Sequence, residues 1–243
     1  MWRTIFTASF LFIALRVLFA EEEPNEGGDT SAGLPREYAD YLVASSTLSP
    51  DKGFAVIYPK SKLCPDERKE GSANRCKDYL VALRPFRILT TLETKDPEFE
   101  NKNHGGMSAS WSKDGAAVLV MLEDKWGPGD TFLYELHDGK VSRSTNLLAK
   151  VHDLFLPDYK AAKMGPAEDE FAFLVESPDE GVFCEFTDSD HVGIHAMATT
   201  DPKETPGRKA WEATVAAVWD IPQARFTSKK VKRTFLGVRK LED

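Results

Sequence analysis

At 243 residues, with a hydrophobic share of 42%, the chain has room for one large domain or two small ones and for a sizeable buried core. Its formal net charge of −8 argues against non-specific nucleic-acid binding by the whole domain, because a polyanion and an acidic surface repel. Fifteen Phe, six Tyr and five Trp favour strands over a helical bundle, since aromatic side chains suit a pleated, half-buried surface.

The first element in chain order is a leader. Residues 1–20, MWRTIFTASFLFIALRVLFA, carry Arg3, an apolar run and the small Ala20 ahead of acidic EEEP, which is the plan of a secretory signal peptide. An uncleaved anchor is the alternative. It needs roughly 20 apolar residues to span a bilayer, and Arg16 interrupts this run. Cleavage after Ala20 removes Arg3 and Arg16 and takes the net charge from −8 to −10. No second long apolar run follows, so after cleavage the chain is expected not to be membrane-embedded and to work in the periplasm or outside the cell. Residues 21–37 begin EEEPNEGGDTSAG and predict a disordered acidic lead-in. Residues 38–243 are expected to form one β-rich repeat domain.

Three stretches then recur. LSPDKGFAVIYP starts at Leu48, WSKDGAAVLVML at Trp111 and ESPDEGVFCEFT at Glu176. Each reads as an apolar approach, a Ser, a turn with Asp and Gly, and a strand of alternating apolar residues. Asp bonds back to its own turn and Gly can take positive φ, so each turn is a hairpin or a bulge. Ser49, Ser112 and Ser177 are spaced by 63 and 65 residues. DYLVALRPFRILTTLE after the first turn and TFLYELHDGKVSRSTNLL after the second both read as strand, tight turn, strand, while HVGIHAMATT and EATVAAVWDIPQARF make a looser third unit. A repeat of about 64 residues therefore holds three or four antiparallel strands.

Between the first two turns, Cys64 and Cys76 bracket a polar loop, LCPDERKEGSANRC, with nothing else to hold it. In an oxidising compartment a disulfide there would remove roughly 2–3 kcal/mol of loop entropy from the unfolded chain. Residues 100–106, ENKNHGG, gather donors and acceptors on Asn101, Lys102, Asn103 and His104, and Gly105-Gly106 let a backbone approach a ligand. His104 as a general base would need an orienting carboxylate, and Asp96, Glu98 and Glu100 are near in sequence. The alternative is that Asn and Gly make a turn and His104 fills a polar contact. In EDKWGPGDT, Trp126 either stacks on a sugar or an aromatic ligand or packs under its own hairpin.

In STNLLAKVHDLFLPD, Leu147, Leu148, Val151, Leu154 and Phe155 fall on one face at helical spacing, with Thr145 as cap and Pro157 as the stop. This one amphipathic helix covers a sheet edge or face. Cys184, in GVFCEF, is expected to be a buried free thiol without a basic neighbour. His191 and His195 would share a metal ion on a helix. On the strand that VGI favours they stand about 13 Å apart, too far for one ion. Asp188 and Asp190 make an Asx-type turn more readily than a calcium loop. Residues 225–243 hold seven Lys or Arg against Glu242 and Asp243, a balance of +5 that leaves −15 on the rest of the cleaved chain. Such a tail either protects an exposed strand edge or meets an anionic partner.

The turns SPDKG, SKDG and SPDEG, each with its following strand, resemble the turn of WD40-like and TolB-like β-propeller repeats, and VWDIPQARF resembles a blade's inner hairpin. The whole chain also resembles a group of exported bacterial proteins, a resemblance that implies export and carries no activity. The fold implied is mainly β, with antiparallel propeller-like repeats. Blades repeat at roughly 40–45 residues and close with four to eight copies, so three units of about 64 imply a partial or open stack, or units with more than one sheet layer. No GxGxxG, GxxxxGK or GxSxG motif occurs, and neither a cofactor nor a metal is expected. The function expected is a non-enzymatic binding or interaction module for an unidentified protein or envelope partner. A hydrolase-type enzyme using His104 with a nearby carboxylate is the alternative.

Overall fold

The computed structural model describes residues 28–64, 76–94, 97–103, 105–124, 127–164, 171–174 and 183–240. The stretch expected to be a leader, Asp96, His104, Trp126 and the third expected turn lie outside them. The mainly β expectation holds: among the described residues thirteen antiparallel strands form three sheets, with one α-helix between the second and the third. The first sheet runs in order β1 (Tyr41–Val43), β2 (Phe54–Pro59), β3 (Tyr79–Leu83) and β4 (Phe86–Thr91). The second runs β5 (Gly106–Trp111), β6 (Ala117–Asp124), β7 (Gly127–His137) and β8 (Lys140–Asn146). One sheet therefore corresponds to one sequence repeat, and among the described residues none closes into a barrel.

The third sheet orders β10 (Cys184–Phe186), β11 (His191–Thr199), β12 (Lys209–Asp220) and β13 (Arg225–Val238), and here the repeat changes. In the first two units the strands on either side of the Ser-Asp turn pair with each other. In the third, β9 (Ala172–Leu174) and β10 both pair with β11, at Met197–Thr199 and Val192–Ile194, and so share one strand position end to end. The VWDIPQARF hairpin closes β12 on β13 from Asp220 to Arg225, with β12 between β11 and β13 and β13 at the edge of the sheet.

The sheets stack face to face. Val56, Leu80 and Leu92 of the first unit pack against Val118, Val120, Leu122, Phe132 and Tyr134 of the second. The opposite face of the second sheet, through Ala117, Leu119 and Leu133, packs against the helix and the third sheet. Strand β6 is thus buried on both sides, which explains why AVLVML is a continuous apolar run rather than the alternation expected. The same holds for β2, where Val56 faces the second sheet and Ala55 and Ile57 face outward into a cluster with Val43 and Val81. Tyr38, Tyr41, Tyr79 and Phe86 cap that outer cluster through edge-to-face and tilted ring contacts. Within the stretch expected to be a lead-in, Asp29 accepts hydrogen bonds from the Ser45 N–H and the Tyr58 hydroxyl, and Thr30 bridges to Val43.

Helix α1 (Leu147–Ala162) connects the second sheet to the third and buries Leu147, Val151, Phe155, Tyr159 and Ala162. Two sequence expectations about its ends are corrected. Thr145 remains in β8, paired with Leu133, and the cap is Asn146, whose side chain accepts the Ala149 N–H at 2.9 Å. Pro157 lies inside the helix and does not end it. The hydrogen bond that Pro forfeits is outweighed by burial of Tyr159 and Ala162 one turn on. Asp158 adds to this by accepting the Trp211 indole N–H at 2.8 Å and two Arg233 N–H groups at 2.9 Å. The chain turns only at Lys163, with φ of 49°.

Candidate functional site

The loop after β4 returns to the first sheet and brings carboxylates together. The Glu100 N–H bonds to the Pro59 carbonyl at 3.1 Å, and its carboxylate accepts the Ser61 N–H and hydroxyl at 3.3 Å. The Glu98 N–H donates to the carboxylate of Asp78 at 2.8 Å. Asp78 is fully buried and Glu98 nearly so. Asn101 adopts a left-handed backbone with φ of 63°, which Asn tolerates, and lies exposed beside exposed Asn103. Lys102 is half-buried, its Nζ donating to the Pro97 carbonyl at 3.1 Å. A Cβ on Gly105 would stand 2.5 and 2.8 Å from the two Glu98 carboxylate oxygens, so this glycine is what lets Glu98 fold inward.

Of the two described acids near His104 in sequence, Glu98 is buried and Glu100 is bound to Ser61. Asp78, twenty residues before Glu98, was not singled out by sequence reading. Its only signal there is an acid directly ahead of the apolar strand YLVAL. The acids act on their surroundings too. Burial, the hydrogen bond to Asp29, and the charges of Asp29, Glu98 and Glu100 together raise the Tyr58 hydroxyl far above its ordinary pKa.

A second place is built by the two described turns, whose Ser and Asp hydrogen bonds correspond, with one further bond in the first, from the Gly53 N–H to the Ser49 hydroxyl at 3.0 Å. Ser49 and Ser112 donate their hydroxyls to Asp51 and Asp114, at 2.6 and 2.7 Å. Each hydroxyl also accepts the N–H five residues on, Phe54 at 2.9 Å and Ala117 at 2.8 Å. Each carboxylate accepts an N–H two residues on, from Gly53 and Ala116. The serine donations, then these N–H groups, hold both carboxyls below the usual carboxylate range. The left-handed residue is the third after Ser in both turns: Gly115 at φ 70°, and Lys52 rather than Gly53 at φ 55°. The glycine expected to supply positive φ is thus one place late in SPDKG.

Stacking of the sheets sets these turns side by side. The Trp111 indole N–H donates to the Thr47 carbonyl at 3.1 Å, and the Trp111 and Phe54 rings lie 5.8 Å apart, tilted by 33°. Between them is an open cleft of about 300 Å³ lined by Ser49–Asp51, Phe54 and Trp111–Gly115.

The remaining candidates separate. His191 holds Asp188 through Nδ1 at 2.9 Å, which raises its pKa, and His195 is exposed four residues along the same strand. Among the described residues no group of three His, Cys, Asp or Glu side chains could hold a metal ion. Asp188 accepts the Asp190 N–H at 2.8 Å, the Asx turn expected. Cys184 is a buried thiol against Met121, pushed up to about 12 by burial and then by Glu185. Cys64 and Cys76 are joined as a disulfide. In the basic strip of β13, Arg233 is bound to Asp158, while Lys229, Lys230 and Lys232 are exposed. No described helix is long and apolar enough to cross a membrane. No protein-family model matches the chain, and no curated protein is significantly similar to it.

Proposed function

We propose that the chain is an exported, non-enzymatic binding or interaction module of the periplasm or extracellular space, built as a partial, open propeller-like stack. One observation carries this reading. The cleft between the Ser49–Gly53 and Trp111–Gly115 turns is formed by two matching hydrogen-bond networks on rigid strand ends, so a ligand meets groups that are already in place. The Cys64–Cys76 disulfide fits an oxidising compartment. The net charge of −8 favours partners other than nucleic acid. Asn101, Lys102, Asn103, His104 and Trp126 stand as further ligand-binding candidates under the same reading.

A thermal-shift screen with sugars, polyamines, nucleotides, metals and envelope polymers tests it. A ligand at about a hundred times its dissociation constant adds roughly 2.7 kcal/mol, and at about 2–4 °C per kcal/mol the midpoint rises by several degrees. If neither the screen nor affinity capture from envelope extracts finds a ligand, the reading fails.

The enzyme reading has its own observation: the Glu98 carboxylate lies against Gly105, the residue that follows His104 in sequence, and the Glu98 N–H donates to buried Asp78. Under that reading the purified chain hydrolyses a member of an ester, amide or phosphodiester panel. His104→Ala abolishes turnover, and Glu98→Gln lowers it by about 10²–10⁴-fold. Turnover that survives His104→Ala sinks it.

A further inference from the structure

The two turns were built by the same local chemistry, yet what lies between them is not turn chemistry. In each carboxylate one oxygen is consumed: Asp51 Oδ1 by the Ser49 hydroxyl and the Gly53 N–H, Asp114 Oδ1 by the Ser112 hydroxyl and the Ala116 N–H. The other oxygen, Oδ2, has no hydrogen-bond or ion-pair partner among the described residues. Both side chains are solvent-accessible and line the cleft, so two negative charges face the same small volume. The wall of that volume is aromatic. Phe54 and Trp111 both line it and are half-buried, with ring centroids 5.8 Å apart and planes tilted by 33°.

We propose that the cleft between the two Ser-Asp turns binds an organic cation, an alkylammonium or guanidinium group, seated on Phe54 and Trp111 and paired with the free oxygens of Asp51 and Asp114. An aromatic face attracts such a cation through its quadrupole, and the carboxylates supply its counter-charge and hydrogen bonds. A neutral sugar would use the rings but gain little from two ionised acids. A volume of about 300 Å³ suits a small cationic group and is at the lower end for ligand pockets. The long-range field has the same sign. Residues 225–243 carry +5, so the body that holds the cleft carries −15 once the leader is gone, and a cleft in an acidic body concentrates cations. Lys113 sits on the lip of the cleft and opposes this, without an ion-pair partner among the described residues. It is the position at which a charge change distinguishes a cation site from any other.

This deepens the binding-module reading and rests on it. The experiment follows the Trp111 indole N–H resonance of the purified chain, assigned through Trp111→Phe. It is titrated with spermidine, with a blocked Gly-Arg-Gly peptide and with cellobiose. Spermidine or the peptide is expected to move the resonance saturably and to bind several-fold more weakly at about 0.2 M than at about 0.02 M salt. Asp51→Asn and Asp114→Asn keep an oxygen for the turn bonds and should each weaken binding by about two- to fivefold, with an unchanged melting midpoint showing that the turn persists. Lys113→Glu, which touches no turn bond, should tighten it by a similar factor. Tighter binding of spermidine marks a free polyamine as the source, and tighter binding of the peptide marks a basic side chain of a protein partner. If cellobiose alone moves the resonance, if Lys113→Glu leaves cation affinity unchanged, or if none of the three binds, the proposal is overturned. In those cases a ligand found in the thermal-shift screen would leave the binding-module reading standing. His104-dependent turnover with cation binding intact would remove that reading instead.

Discussion

Ser112 shows how much of this molecule hangs on single hydroxyls. Its Oγ accepts the Ala117 N–H at the start of β6 and donates to Asp114, all within a residue almost wholly buried. Ser112→Ala leaves that N–H without its acceptor and should cost about 1–2 kcal/mol, read as a lower urea midpoint at unchanged slope. Ser49→Ala should cost a similar amount, because the same bonds are made there. The repeat of Ser and Asp was legible in the sequence since the turn is local. Which residue takes positive φ was not, because Gly53 and Lys52 differ by one place and only the backbone path decides between them.

His191 sets a second expectation. The hydrogen bond to Asp188 raises the His191 pKa above the ordinary 6.5, and the Asp190 N–H and then His191 lower that of Asp188 below 3.8. The His191 contribution is therefore complete below about pH 6.5 and is lost as pH rises through its raised value. The Asp188 contribution is complete above about pH 3.8 and is lost as pH falls through its lowered value. Imidazole resonances of His191 followed by NMR should titrate above 6.5, and Asp188→Asn should bring the midpoint back toward it. A midpoint unmoved by that substitution would refute the pairing.

Among the elements, α1 was the most legible and its C-terminal half the least. Leu147, Val151 and Phe155 at four-residue spacing define a buried face that any core would select. Besides burial, the continuation past Pro157 is supported by Asp158, which bonds buried Trp211 on β12 and exposed Arg233 on β13. Asp158→Ala should destabilise by about 1–3 kcal/mol, since it strands a buried indole N–H and an arginine together. Hydrogen exchange should quicken in residues 157–162 and hold in residues 149–155. Arg233 also shows why a basic strip is not one surface: on β13, Arg233, opposite Ala213 of β12, is bound to Asp158 of the helix, while Lys230 and Lys232, opposite Ala216 and Thr214, are exposed. Register, not composition, made that division.

For the molecule as a whole, three sheets share two apolar interfaces, and the second sheet contributes to both. The disulfide stands apart from these interfaces, tying the polar loop between β2 and β3. With Cys64 and Cys76 twelve residues apart, its reduction should cost about 2–3 kcal/mol and lower the melting midpoint by roughly 4–12 °C in a two-state scan with and without reductant. A drop much larger than this would mean that the bridge holds the sheets together and not merely its loop. The candidate site was only half legible at this scale. ENKNHGG stood out by its composition, but Asp78 reaches Glu98 through the return of the chain onto the first sheet. Phe54 reaches Trp111 through the stacking of two sheets whose turns lie 63 residues apart.

The sequence by itself determined what short-range chemistry controls: strands rather than a bundle, the repeating Ser-Asp turn, the buried face of one helix, and a pair of cysteines close enough along the chain to meet. Those follow from hydrogen bonds and periodicities that close within a few residues. Tertiary structure alone decided which face of each strand met which sheet, where β9 and β10 share one strand position, where α1 stops, and which acids and rings stand together. Each of these depends on burial between segments far apart in the chain. Stability gained there can override a local stop signal such as Pro157, and it can place Asp51 and Asp114 on one cleft although nothing in either turn refers to the other.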